Sequence, residues 1–359
     1  MRRSALSLLV LLVLCAGPAT TGPSVAAAQG AVARPELVVF NWPDYLAPAV
    51  IAAFEAASGA RVRQVYFETD DARDQVLSAT DGAGFDVLLV DSNALEVYRK
   101  HGWLEPLDPT AIPHRRHIDP RWDAAYPGSR DYGLPYLWGT MGIVYRRDLV
   151  GRELDSWLDL LNPAPALRGR ILMIADHFDL FAVALKALGF SMNTSNTAQI
   201  QAAADLLKAQ RPAVFRYGAL ALDARSELLT GQVAAAVSFN GDAAALIDRN
   251  DQVAYVVPRE GGALWLDFLT VAARSAQPAL AAAFLDFLNR PEIAARNARD
   301  LNYATPNLAA ERLLPATFLQ DPLVYPDPAT FARCEFYARL PAPAVSARMR
   351  AYAALVHGD

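Results

Sequence analysis

Short apolar runs alternate with apolar stripes of helical period along this chain, and the alternation begins again half-way. Leu37 to Phe40 reads as a buried strand, and Pro48 to Ala57 carries Val50, Ile51 and Phe54 on one helical face before Gly59, a residue suited to a left-handed cap. A second strand is expected over about Arg61 to Phe67, a helix after Asp70, and a third strand at "FDVLLV", apolar on both faces; the next helix should close at Gly102. This order predicts an α/β fold, with a mostly parallel sheet covered by helices on both sides.

After "YGLPYLWGTMGIVY" the pattern restarts. "GRILMI" predicts a strand, "HFDLFAVALKALG" a capped helix, and Ile200 to Leu207 another helix; the strands "VAAAVSF" and "VAYVV" and the stretch "ALWLDFLTVAA" follow. Two α/β halves without sequence repeats suggest two lobes facing each other across a cleft. A helix "PALAAAFLDFLNR", ended by Pro291, should pack on one lobe, and the tail after Pro341 should be a surface helix.

The first residues read as a secretory signal: Arg2 and Arg3, an apolar run from Ala5 to Ala16, then Ala26, Ala27 and Ala28 before an expected cut at Gln29. The apolar run is well short of the ~20 residues of a spanning helix. Bulky Leu14 before Cys15 also disfavours a lipid-attachment site. Cleavage would remove Cys15 and leave Cys334 as the only cysteine, so an exported fold must hold together without an internal disulfide. Of 33 Lys+Arg, two lie in the signal, which leaves 31 against 38 Asp+Glu and a net charge of −7 with His neutral. That balance excludes a nucleic-acid binder, which needs a basic face, and suits a cationic ligand.

In a wound α/β sheet, side chains at the C-terminal ends of strands face the ligand crevice. The same residue types recur at those ends: Trp42, Asp44 and Tyr45 in "NWPDY", Asp91 and Ser92 after "FDVLLV", Asp176 and Asp179 after "GRILMI", Phe239 and Asp242 after "VAAAVS", and Trp265 and Asp267 in "LWLDF". Singly, Asp91, Asp176 or Asp242 would be explained as helix N-caps, and the aromatics as core. As a set they point to a site. Carboxylates gathered in a cleft need cations to neutralise them, and aromatic faces beside them add cation–π attraction and cover apolar stems. Acids with aromatics suit an alkyl ammonium ligand.

Other chemistries find less support. The five His residues are scattered, and His114 and His117 in "PHRRHID" read as a solvated charged loop rather than metal ligands. There is no G-x-S-x-G elbow, P-loop or dinucleotide fingerprint. A glycosidase acid pair stays open as an alternative, although no spacing singles out an acid and a nucleophile. Ferric-ion receptors usually show neighbouring tyrosines, whereas Tyr132, Tyr136 and Tyr145 are spread along the expected hinge.

With those residues in view, the mature chain resembles the periplasmic polyamine-binding proteins, the spermidine and putrescine receptors of ABC importers. The resemblance is carried by "FNWPDY", "YGLPYLWGT", "ALGFSMNT", "EGGALWLDFL" and "YATPNLAAERLL", in that order. It implies a two-lobed periplasmic-binding fold of type II with crossover strands, no catalysis, no cofactor and no metal. It further implies a polyamine ligand, a monomer in the periplasm, and ABC-transporter permease subunits as partners. The matching segments are a first lobe over 29–140, a second over 141–266, a return to the first over 267–312, and the second lobe with the tail over 313–359. Residue by residue, Trp42 and Tyr45 resemble first-lobe contacts and Asp267 the carboxylate that grips an amine. Trp265 resembles the ring on the methylenes, Tyr303 another aromatic contact, and Asp176 with Asp179 the second-lobe acidic pair.

The departures from that pattern concern the ligand. Pro43 stands where the family usually has Ser or Thr, Asp91 where it has Ser, Asn93 where spermidine receptors have Tyr, and Phe239 where a Trp is usual. Asp44 and Asp242 resemble the putrescine type, Asp176 and Trp265 the spermidine type. Tyr337 replaces a Gln or a small apolar residue. Three functions stay open: a transport receptor for a polyamine or diamine, a polyamine-sensing subunit for a membrane signalling protein, and an exported hydrolase.

Overall fold

Thirteen consecutive residues, Leu134–Arg146, form one strand that leaves one hydrophobic core and enters another. Leu134, Leu137 and Trp138 at its start pack in the first core; Met141, Ile143 and Tyr145 at its end pack in the second. In the computed structural model, which describes residues 34–357, the strands in chain order are β1 (Glu36–Asn41), β2 (Arg61–Tyr66), β3 (Val87–Asp91), β4 (Leu104–Glu105), β5 (Leu134–Arg146) and β6 (Ile171–Met173). They continue with β7 (Val214–Tyr217), β8 (Ala235–Phe239), β9 (Val253–Val256), β10 (Ala263–Ala272) and β11 (Glu335–Phe336). Their order is β2-β1-β3-β10-β5-β8-β6-β7, with β4 and β11 on β10 and β9 on β5. The signal segment expected over 1–28 lies outside the described residues.

The first lobe begins as the period of the sequence predicts. β1 pairs parallel with β2 and β3, and its Leu37, Val39 and Phe40 are buried. Helix α1 (Pro48–Ser58) buries Val50 and Phe54 and ends at Gly59, whose φ of 72° allows its N–H to close on Glu55 O. Helix α2 (Asp70–Thr80) is capped by Thr69 and α3 (Ser92–His101) follows β3 directly. β10 then runs antiparallel between β3 and β5, which closes the first core around Phe268 and Leu269. Ala263, at the start of β10, already belongs to the second core.

In the second lobe both faces of the sheet are covered, as the apolar runs require. Ile143 and Tyr145 point to one cluster with the helix His177–Ala187, while Val144 and Ala236 point to the other with Leu246. After residue 313 the chain touches both lobes: Val324 and the partly buried Phe318, Tyr325, Phe331 and Phe336 pack on the first core, Leu323 packs beside Leu246, and Tyr337 packs on the second core.

The sheet is mixed rather than mostly parallel, because β10 runs antiparallel to β3, β4 and β5, and β5 antiparallel to β8 and β9; the remaining corrections are local. Pro291 does not merely end a helix; it opens the next, Pro291–Leu301, after Pro278–Leu288. The tail helix Ala342–His357 is not confined to the surface, since Ala344, Arg348 and Leu355 are buried against the second lobe. His114 is not simply solvated, because its Nδ1 lies 2.9 Å from Asp286 Oδ2. Among the described residues no helix is long and apolar enough to cross a membrane.

Candidate functional site

The segment after β1 is a turn held from behind. The Tyr45 carbonyl accepts a 2.8 Å hydrogen bond from Tyr136 Oη. Asn297, from the helix Pro291–Leu301, donates to that same hydroxyl at 2.8 Å and accepts from Ala47 N at 3.1 Å. These buried bonds fix the direction of Tyr45, whose own hydroxyl donates to Asp267 Oδ2 at 2.9 Å. Asp44, one residue earlier, is exposed with φ 54°, a left-handed conformation that Asp tolerates better than most residues. The turn therefore accounts for its residue type without a ligand. Trp42 is half-buried, edge-on to Phe67 with centroids 4.4 Å apart.

Asp267 sits on β10 beside a register shift between Asp267 and Phe268. Bulges of this kind re-aim side chains next to sites. Tyr303 packs edge-on to both Tyr45, at 5.3 Å, and Trp265, at 5.4 Å, so three rings adjoin the carboxylate. Gly139, opposite Trp265 in register on β5, makes room for the indole: a Cβ there would lie 2.5 Å from Trp265 Cζ2 and 2.2 Å from Asn240 Oδ1. Asp267 is 9 % exposed. Burial pushes its pKa up to about 8, with Asp91 adding repulsion while the hydrogen bond from Tyr45 works the other way.

Asp91 lies opposite Asp267 on the neighbouring antiparallel strand. Its Oδ1 accepts from Ala94 N at 3.0 Å, the cap expected of an Asp before a helix. Its Oδ2 accepts from Arg73 Nη2 at 2.8 Å. Asp91, expected to meet a ligand amine, is therefore paired with a protein cation. Ser92 is buried beside the Tyr126 hydroxyl.

In the second lobe Asp176 caps the helix His177–Ala187, accepting from Phe178 N and Asp179 N. Asp179, in the first turn, is 9 % exposed and accepts a hydrogen bond from Tyr337 Oη. Burial, reinforced by the neighbouring Asp176, pushes its pKa up to about 8 against the effect of that hydrogen bond. Phe239 ends β8, half-buried on the second core. Asp242 lies in the first turn of the next helix, Asn240–Ile247, and burial pushes it up to about 6. Tyr303, from the first lobe, stands against the start of this helix: a Cβ on Gly241 would collide with its hydroxyl.

The two sets are electrostatically linked. Asp70 is within electrostatic reach of both Asp267 and Asp179, and Tyr126 of Asp91, Asp267 and Tyr337. Tyr45, Asp91, Trp265, Asp267 and Tyr303 thus lie together in one group, and Asp176, Asp179 and Tyr337 in another, with Asp242 beside Tyr303. Arg73 and Asp70 were not singled out from sequence. The available signal was Arg73 in the i and i+4 positions of the buried face of α2 with Leu77, between acids at 70 and 74. Such an arrangement can hold cations between carboxylates over an aromatic floor.

Residues 49–326 match the family described as bacterial extracellular solute-binding protein. A norspermidine sensor of Vibrio cholerae is 32 % identical over 292 residues, 81 % of this chain and 80 % of that one. A putrescine/agmatine-binding protein of Pseudomonas aeruginosa is 30 % identical, over 95 % of this chain and 97 % of its own. Among solved structures, the substrate-binding protein of a spermidine/putrescine ABC transporter from Streptococcus pneumoniae superposes with a TM-score of 0.80 at 26 % identity, covering 89 % of this chain and 98 % of that one. The two cores joined by β5 and β10 are accordingly the two lobes of a periplasmic-binding fold, and the chain belongs to the bacterial extracellular solute-binding protein family.

Proposed function

We propose that this protein is a periplasmic receptor that captures an aliphatic polyamine between its lobes and presents it to the permease subunits of an ABC importer. The observation that carries the reading is the pair of buried Asp–Tyr contacts, Tyr45 with Asp267 on one wall and Tyr337 with Asp179 on the other. Two desolvated carboxylates on opposite walls suit a ligand with an ammonium at each end, and Tyr45, Trp265 and Tyr303 suit its methylenes. Trp42, Ser92, Phe239 and Asp242 would complete the box, with export directed by the amino-terminal signal. Similarity to the putrescine/agmatine-binding and spermidine/putrescine-binding relatives supports the ligand class. Calorimetric titration with putrescine, cadaverine, agmatine, spermidine and norspermidine tests it. Saturable binding of at least one is expected, and no heat and no rise in melting temperature with any of them would overturn it.

Similarity to a norspermidine sensor supports a second use of the same cleft, in which the closed receptor docks on a membrane signalling protein. Polyamine uptake by cells lacking the gene separates the two: loss of uptake supports import, and unchanged uptake supports sensing.

A further inference from the structure

A buried guanidinium in the wall of a cation site opposes the ligand that the site attracts. Arg73 is in that position. It is 2 % exposed, on the inward face of α2. Its Nη2 donates to Asp91 Oδ2 at 2.8 Å, its Nε to Tyr98 Oη at 2.7 Å, and its Nη1 lies 2.9 Å from Asp70 Oδ1. The guanidinium lies over the rings of Phe67 and Tyr98, at 5.4 and 5.5 Å, and Phe67 in turn packs against Trp42. Burial alone would lower its pKa; Asp91 and Asp70 more than offset this, so the group stays charged.

The neighbour that matters is Asp91. It faces Asp267 directly across the β3–β10 ladder, where like charges destabilise the pair. Asp70 and Asp74 also lie near the guanidinium, but both side chains are more than half exposed to water and neither pairs with β10, whereas Asp91 stands opposite Asp267. Asp91 is therefore the carboxylate whose charge the guanidinium most effectively cancels.

We propose that Arg73 is a specificity-determining residue: by neutralising Asp91 from inside the protein it withdraws one carboxylate from the ligand at the Asp267 end of the cleft, and so disfavours polyamines that carry a third ammonium. This rests on the polyamine reading above. A compact diamine needs only the terminal carboxylates, Asp267 and Asp179, and is unaffected by the missing charge. A triamine finds no second uncompensated carboxylate beside Asp267 for its extra ammonium, because Arg73 already pairs with Asp91.

The test measures putrescine and spermidine affinities by calorimetry for the full protein, Arg73→Gln, Asp91→Asn and the double variant. Gln keeps an amide donor without the charge, and Asn keeps the acceptor that caps α3. Wild type should prefer putrescine by about tenfold, and Arg73→Gln should shift the ratio toward spermidine by about tenfold. Asp91→Asn should move the ratio the other way, and the double variant, with wild-type net charge, should return close to the wild-type ratio. A merely structural Arg73 would weaken both ligands by one factor and leave the ratio unmoved, which overturns the proposal. If Arg73→Gln fails to fold, the Asp91→Asn ratio decides, and no shift there overturns it equally. If wild type binds neither these two amines nor the others above, the receptor reading itself falls, and this inference with it.

Discussion

Asp267 and Asp91 stand opposite each other on neighbouring antiparallel strands, and they are satisfied by different chemistry: Tyr45 donates a neutral hydroxyl to the first and Arg73 a charged guanidinium to the second. A phenol leaves a carboxylate in need of a cation; a guanidinium supplies one. Asp267 is therefore the first-lobe group expected to dominate ligand binding. Asp267→Asn should weaken the preferred amine by about 3 to 5 kcal/mol, the range for breaking a buried charge pair. Trp42→Ala should cost less, since its ring is already engaged with Phe67. Calorimetry on both variants checks the order, and unchanged affinity in Asp267→Asn would remove Asp267 from the site.

Burial holds both Asp267 and Asp179 up at about 8, so near neutral pH each retains its proton in the ligand-free protein. An incoming ammonium favours the ionised form, and binding should release protons. Affinity for putrescine should rise by about tenfold or more between pH 6 and pH 8, levelling off above. Titrations in buffers of different ionisation heat would count the protons, and a pH-independent constant would contradict the assignment. Stability of the ligand-free protein should follow the opposite slope. The native state holds more protons than the unfolded chain between the ordinary Asp value and about 8. These two groups therefore favour folding at the acid end of that window, and their contribution is lost as pH rises through it. Saturating ligand should flatten the loss, as read by melting temperature at pH 6, 7 and 8.

On the second wall, Tyr337 Oη donates to Asp179 and favours its ionised form. Tyr337→Phe keeps the ring and removes the donor. A hydrogen bond to a charged group contributes about 1.5–3 kcal/mol, so putrescine affinity should fall by roughly ten- to a hundredfold with little change in melting temperature. Equal affinity for the two proteins would show that Asp179 takes no part in the ligand's seat.

Gly139 has no room for a side chain. A Cβ there would press on Trp265 Cζ2 and on Asn240 Oδ1, and Asn240 is fully buried, accepting from Thr140 N and donating to Leu323 O. Gly139→Ala should therefore displace the indole and destabilise the protein by about 1–3 kcal/mol, the usual cost of overpacking. Lower melting temperature together with altered Trp fluorescence would report both effects, and an unshifted melt would show that the crossover region yields freely.

The local pattern of the chain determined a great deal. Apolar runs, helical stripes and Gly59 specify their elements through contacts within a few residues, so β1, α1, β3 and the helix His177–Ala187 were legible as one α/β half after another. Trp42 and Tyr45 follow the end of β1 and Asp179 follows β6, as the strand-end reading places them, whereas Asp267 lies in the middle of β10, where only its antiparallel partners decide what it faces. Their partners could not be named from position. Tyr45 reaches Asp267 across 222 residues and Tyr337 reaches Asp179 across 158, and nothing in local periodicity encodes such distances. The same limit applied to charge. "DDARD" reads only as the start of a helix, and Asp91 as one more acid at a strand end. Folding turns α2 inward and places β3 beside β10, so Arg73 leaves water and acquires Asp91 as its counter-ion. Whether a carboxylate is open to a ligand or already neutralised depends on which charge lies within a few ångströms after desolvation, and only the tertiary structure decides that.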